Sequence, residues 1–163
     1  MINLFLQEMK QSMQDHLSLL NEYAEDILTS DGMMSEKNFL QHGTVSVYEH
    51  SVSVAIMCIS ISRFLAHYFY IKTDERSLVR GALLHDYFLY DWHVSDKSHR
   101  LHGFSHPKIA LKNAQRDFKL NKIEKNMIVR HMFPLTFPPP KYREGMILCI
   151  ADKLCALNET IKR

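Results

Sequence analysis

Ten histidines occur in the 163 residues, six of them between His85 and His131. Several stand where helical spacing calls for an apolar side chain. His50 lies on the stripe Val47, Val54, Met57, Ile61; His85 follows Leu78 and Ala82; His131 follows Met127 and Ile128. Asp152 sits four residues after Leu148 and three before Cys155, and so faces the same way as they do. A buried carboxylate without a partner costs several kcal/mol, or takes up a proton. One inward imidazole or carboxylate is easily satisfied by a core hydrogen bond or a helix cap. Four of them on separate helices, together with Asp86 beside His85, predict a common partner. A cation held by neutral imidazoles and carboxylates meets that requirement.

Other chemistries find little support. There is no Ser-His-Asp nucleophile pattern, no glycine-rich phosphate loop and no dinucleotide-binding fingerprint. The three cysteines, Cys58, Cys149 and Cys155, form no CxxC pair, and are expected as small core residues in a reducing cytoplasm. A net charge of +2 without a run of like charges argues against dedicated nucleic-acid binding. No basic segment precedes an apolar one at the start, where the first lysine is Lys10, so no export signal is expected. Residues 52–71 are apolar enough to suggest a membrane span, but Arg63, His67 and several serines favour a buried core helix. A soluble, cytoplasmic protein with no membrane partner is the expectation.

The elements that must position these residues are helices. Phe5, Met9, Met13, Leu17, Leu20, Ala24 and Ile27 recur every three or four residues and predict a first helix ending near Asp31-Gly32. All five prolines lie at or after Pro107, leaving the first hundred residues free for long helices. A second helix is expected over residues 44–71, and a third, capped by Thr73 or Asp74, leads to His85-Asp86. Residues 87–104 read as a long loop. Pro107 suits the first turn of a fourth helix. A fifth covers 122–131, a stiff connector covers 134–140, and a last helix covers 142–161. Few segments alternate with period two, so the chain is expected to be all-α and a single domain over residues 1–163.

This set of residues resembles the HD-domain superfamily of metal-dependent phosphohydrolases. The pattern of a His, a His-Asp doublet and a distant Asp is matched by His50, by the doublet ending Gly81-Ala-Leu-Leu-His85-Asp86, and by Asp152 in Ile150-Ala-Asp152-Lys153. The resemblance covers about residues 43–160, with the first helix, residues 1–32, outside it. It is closest to small bacterial members with two further histidines, here His106 and His131. The resemblance implies two metal ions. His50, His85, Asp86 and Asp152 would hold the first, and Asp86 would bridge to a second completed by His106 and His131. Iron or manganese suits mixed imidazole–carboxylate ligation, with zinc as a third option. His102, four residues before His106, is the alternative ligand or a substrate contact; His106 is preferred because Pro107 was expected to fix it at a helix start. His93 and His99 are expected in the loop, and His16, His42 and His67 have no partner pattern.

Two cations close together can generate a hydroxide at neutral pH and stabilise the oxygens of a phosphoryl displacement. Three functions follow from the resemblance. The first is hydrolysis of a nucleotide or other small phosphate ester, with Asp86 at its centre. The second is a di-iron oxygenase with the same ligands, and the third is a module that binds nucleotide without turnover. Arg100, Lys108, Lys153 and Lys97 are candidate phosphate contacts, or simply surface charges. Tyr87, Tyr90 and Trp92 could stack on a base, or cover the core. After the doublet stands Tyr87-Phe88-Leu89-Tyr90, where several subgroups carry a catalytic lysine or acid, so their substrates do not transfer. A homo-oligomer is possible on these grounds.

Overall fold

The computed structural model describes residues 2–92 and 102–161, and the side chains of these apart from 2–10, 42 and 102. Among them are seven α-helices and one two-stranded hairpin, so the all-α expectation holds. Helix α1 (Ile2–Leu28) bends at Ala24, where φ is −146°. Of the described side chains of its predicted stripe, Leu20, Ala24 and Ile27 are buried, whereas Met13 and Leu17 are exposed. The chain does not stop at Asp31-Gly32. Ser30 accepts the Met33 N–H through its hydroxyl and starts a short helix there, α2 (Asp31–Ser35).

A 3₁₀ turn (Glu36–Asn38) leads into the hairpin of β1 (Leu40–His42) and β2 (Val45–Ser46), which the sequence pattern did not suggest. Gly43 turns it with φ of 62°, a conformation most easily adopted by glycine. Helix α3 (Val47–Phe69) therefore begins three residues later than expected. Ser46 and Glu49 form a reciprocal capping box at its start, and Tyr70, with φ of 57°, ends it. Asp74 caps α4 (Glu75–Leu83) by accepting the Ser77 N–H.

Helix α5 (His102–Asp117) corrects the expected position of Pro107, which lies inside the helix rather than in its first turn. The proline is the sixth helical residue, so the one bond it cannot donate is to Gly103, itself still in the first turn. Asn121 and Glu124 form a second capping box for α6 (Lys122–Arg130), and α7 (Arg143–Ile161) closes the fold.

Helix α4 is the centre. Leu78, Val79, Ala82 and Leu83 are fully buried, and Gly81 allows close approach to α6, since a Cβ there would lie 2.6 Å from Met127 Sδ. Arg80 ties the outer side of α4 to α1 through a paired contact with Asp26 and a bond to the Tyr23 carbonyl, and reaches Glu124 of α6 at 3.5 Å. Helices α3 and α7 run antiparallel: His50 near the start of α3 meets Glu159 near the end of α7, while Glu144 and Arg143 bind the backbone at Asp74 and Lys72. Helix α3 is long and apolar enough to cross a membrane. It packs against α4 and α7, however, with His50, Ser51 and Ser62 buried among its neighbours, as a core helix does.

Candidate metal centre

Four helices and the turn after α4 bring the expected residues together. His50 is one turn into α3, where the capping box fixes the start and hence the register of its ring. His85 and Asp86 follow α4, whose cap residue Leu84 leaves the helical conformation (φ −102°, ψ 2°). That departure lets two consecutive side chains converge on one point. Asn113 of α5 fastens the turn by donating to the carbonyls of Tyr87 and Phe88 at 3.2 and 3.0 Å. His106 comes from α5, His131 caps the end of α6, and Asp152 lies in the middle of α7.

Asp86 stands between two groups of ligands, and its two oxygens face different ones. Oδ2 is 3.4 Å from His85 Nε2 and 4.0 Å from His50 Nε2, whereas Oδ1 is 3.2 Å from His106 Nε2 and 3.4 Å from His131 Nε2. Asp152 Oδ1 completes the first group, 3.3 Å from His50 Nε2 and 3.7 Å from His85 Nε2. Each trio, His50–His85–Asp152 and Asp86–His106–His131, has its potential ligand atoms within 4.8 Å of one another.

The polar atoms inside the cluster suit cations better than one another. His85 Nε2 and Asp86 Oδ1 are buried without a hydrogen bond. The Nε2 atoms of His106 and His131 face each other at 2.8 Å. The remote nitrogens are committed to acceptors: His85 Nδ1 to the Ala82 carbonyl at 2.7 Å, His131 Nδ1 to the Ile128 carbonyl at 2.8 Å, and His50 Nδ1 to Glu159 Oε2 at 2.9 Å. Nδ1–H bonds of this kind leave Nε2 as the ligand atom and hold the ring in plane. The donor set therefore suits divalent cations, with the two trios as candidate positions and Asp86 between them.

Without ions, protons and carboxylates balance the site. Burial opposes a charge on His50, but hydrogen bonds to Asp152 and Glu159 outweigh it and push its pKa up to about 10. His85 is likewise raised against burial, by Asp86 and Asp152. Burial wins at His131, which is lowered. Asp86 and Asp152 are held below the usual carboxylate range despite burial, Asp86 by the surrounding imidazoles and Asp152 by its bond to His50 and the nearby ring of His85.

Three supporting side chains had not been anticipated. Glu159 lies seven residues after Asp152, two turns along the same face, and that spacing was its available signal. Gln41, from the hairpin, donates to Asp86 Oδ2 at 2.5 Å. Glu36 is fully buried with neither carboxylate oxygen hydrogen-bonded; burial, and then the charge of Asp86, raise it well above its ordinary range, so it is a neutral acid. Neither has a periodic signal, because Glu36 sits in a three-residue 3₁₀ turn and Gln41 in a three-residue strand.

The cluster opens into a cavity of about 390 Å³ lined by Gln41, Trp92, Met132 and Lys153 among others. A larger cavity, about 710 Å³, lies behind Glu159 and is bordered by Thr44, Glu49, Ser53 and Asn158. The chemistry belongs to the smaller one, since it alone receives the imidazoles. Lys153 reaches its rim, donating to the carbonyls of His131 and Cys149 at 3.3 and 3.2 Å. Lys108 does not. Two residues after His106, it is turned to another side of α5 and lines an outer groove with Phe104 and Phe137. Of the two roles open to Tyr87, the structure gives it the core one: it is buried, its hydroxyl donates to Asp117 at 3.0 Å, and its ring fills the space beside Gly32. Tyr90 is half-buried and contacts Phe88. His93, Lys97, His99, Arg100 and the side chain of His102 lie outside the described residues.

A family model, the HD domain, matches residues 47–157, which include every ligand named above. The chain belongs to the HD-domain family. That places it in a superfamily of metal-dependent hydrolases, whose typical members are phosphohydrolases. The match begins at the first residue of α3 and ends within α7, so that α1, α2 and the hairpin, with Glu36 and Gln41, precede it. No curated protein and no solved structure matches the chain.

Glu159 follows Asp152 within the HD domain's last helix but lies two residues past the family match. Its replacement by glutamine should weaken the His50 site by about 10–100-fold in metal affinity and leave the Asp86–His106–His131 site loaded. Titration of the metal-free variant, read by elemental analysis at each added equivalent, checks this; equal loss at both sites would contradict it.

Proposed function

We propose that this HD domain is a cytoplasmic phosphohydrolase that cleaves a nucleotide or another small phosphate ester with two bound ions, iron or manganese by preference. The observation that carries the reading is the division of the Asp86 oxygens between two imidazole pairs, which matches what two adjacent ions require of a bridging carboxylate. When bound, such ions supply the positive charge that activates water and stabilises the oxygens of a phosphoryl displacement. The chain's own residues do the rest. His50, His85 and Asp152 hold one position and His106 and His131 the other, each ring oriented by its Nδ1 partner or by packing. Gln41 restrains Asp86 from the side opposite the imidazoles of α5 and α6. The cavity wall of Trp92 and Met132 excludes water from one side and offers an apolar surface to the organic part of the ester. Lys153 places an ammonium at the rim, within reach of a phosphate oxygen entering the cavity. The three buried free cysteines suit a reducing compartment.

The test is release of inorganic phosphate from a panel of nucleotides and small phosphate esters by protein loaded with Fe, Mn or Zn. Metal-dependent turnover of at least one class is expected. Oxygen consumption with no phosphate release would replace the reading with the oxygenase alternative. Absence of both, with tight nucleotide binding, would leave a binding module. For any ester that is turned over, Lys153→Ala should raise KM by roughly 10-fold while changing kcat less, because the lost charge-assisted bond is made in the ground state as well. An unchanged KM would remove Lys153 from substrate binding.

A further inference from the structure

Helix α7 is apolar on two sides. Its inner side packs into the core through Leu148, Ala151 and Cys155. Its outer side carries Met146, Ile150, Leu154, Leu157 and Ile161, which are between 40 and 71 % exposed. The last four follow at intervals of 4, 3 and 4 residues, the seam spacing of a helix that packs against another helix. A helix that is apolar all round ordinarily has both sides covered. No element among the described residues covers this one.

The charges next to the stripe are turned away from it. Arg143 donates to the Lys72 carbonyl at 2.8 Å, and Lys153 bends toward the metal cavity to reach the carbonyls of His131 and Cys149. Asp152, Glu144 and Glu159 lie on the opposite, inner half of the helix. The five side chains of the stripe carry no charge, so between the exposed Arg143 and Lys153 at its edge it is complementary to a surface equally free of charge. A second copy of the same stripe is such a surface, and a two-fold axis brings like to like without further requirement. Five half-exposed aliphatic side chains present roughly 400–500 Å² on each copy, so pairing removes about 1,000 Å² in all, the lower bound for a specific interface.

We propose that the protein forms a two-fold dimer through the outer face of α7. The interface lies on the side of the helix away from its metal ligand, so both cavities stay open, and the proposal stands whether or not the protein is a phosphohydrolase. It is tested on the full chain by sedimentation equilibrium over a range of concentrations. A dimer with a dissociation constant in the micromolar range is expected. Ile150→Glu and Leu157→Glu, which place charge on the seam, should weaken it by at least roughly 100-fold while keeping the helical circular dichroism of the parent. If either glutamate variant fails to fold, Leu154→Gln and Leu157→Gln give the same comparison without a charge. Tyr70→Ser, at the exposed aromatic end of α3, should leave the dimer intact. A wild-type monomer at every concentration overturns the proposal. So does a dimer that persists in the folded α7 variants, or one lost only in Tyr70→Ser.

Discussion

Replacing Asp86 with alanine should remove both of the proposed ions. Its oxygens are the one element shared by the two ligand groups, at 3.4 and 4.0 Å from the first imidazole pair and at 3.2 and 3.4 Å from the second. Without the bridge, two cations would face each other with one carboxylate, Asp152, left to offset four positive charges. Elemental analysis of the purified variant should find less than one ion per chain, and phosphoester turnover should fall by about 10³-fold or more. His106→Ala is the contrast: it should retain the His50–His85–Asp152 ion and lose the other. Two retained ions in a folded Asp86→Ala protein would contradict the bridging assignment. Circular dichroism separates that result from a failure to fold.

Loading the ions at neutral pH should release protons. In the metal-free protein the imidazole of His50, at about 10, is cationic among Asp86, Asp152 and Glu159, and that of His85 is raised by Asp86 and Asp152. A metal ion takes the neutral ring, so binding at the first position displaces the His50 proton at least. Apparent affinity should therefore rise with pH by about tenfold per unit for each proton released. Calorimetry in buffers with different ionisation enthalpies measures the number directly, and heats that do not depend on the buffer would refute the exchange. The same shifts fix a stability trend. A folded-state pKa above the unfolded value of about 6.5 contributes stability that is complete below that value and lost as pH rises through the folded pKa. The metal-free protein should thus melt at progressively lower temperature from neutral pH toward about 10, the pKa of His50. The loaded protein, whose rings carry no exchangeable proton at Nε2, should not. The depressed Asp86 and Asp152 act in the opposite direction and only under acid conditions, so they do not enter this window.

Misfit was the most informative signal in the sequence. His50, His85 and His131 announced themselves by occupying apolar helical positions, and the structure buries all three. Where the pattern was weak, expectation failed in a physical way. Ser46-Val-Tyr-Glu49 is a capping signature, but the hairpin before it has strands of three and two residues, too short to show an alternating pattern. Pro107 suggested a helix start because a proline is easiest there, yet α5 begins five residues earlier. The outer stripe of α7 has the period of a core face, since periodicity reports which residues share a side and not what lies against that side.

Residue type and order along the chain were enough to establish the helical class and to single out His50, His85, His131 and Asp152, because helical period is a local property, while His106 came with the family resemblance. Which candidates meet was settled by packing. The departure of Leu84 from helical conformation, the antiparallel approach of α3 and α7, and the fastening of the doublet's turn by Asn113 bring together side chains as far as 102 residues apart. The same packing added Glu159, Gln41 and Glu36 and dismissed Lys108 and Tyr87. Distances between elements depend on how whole faces interlock, and no spacing within a single element contains that information.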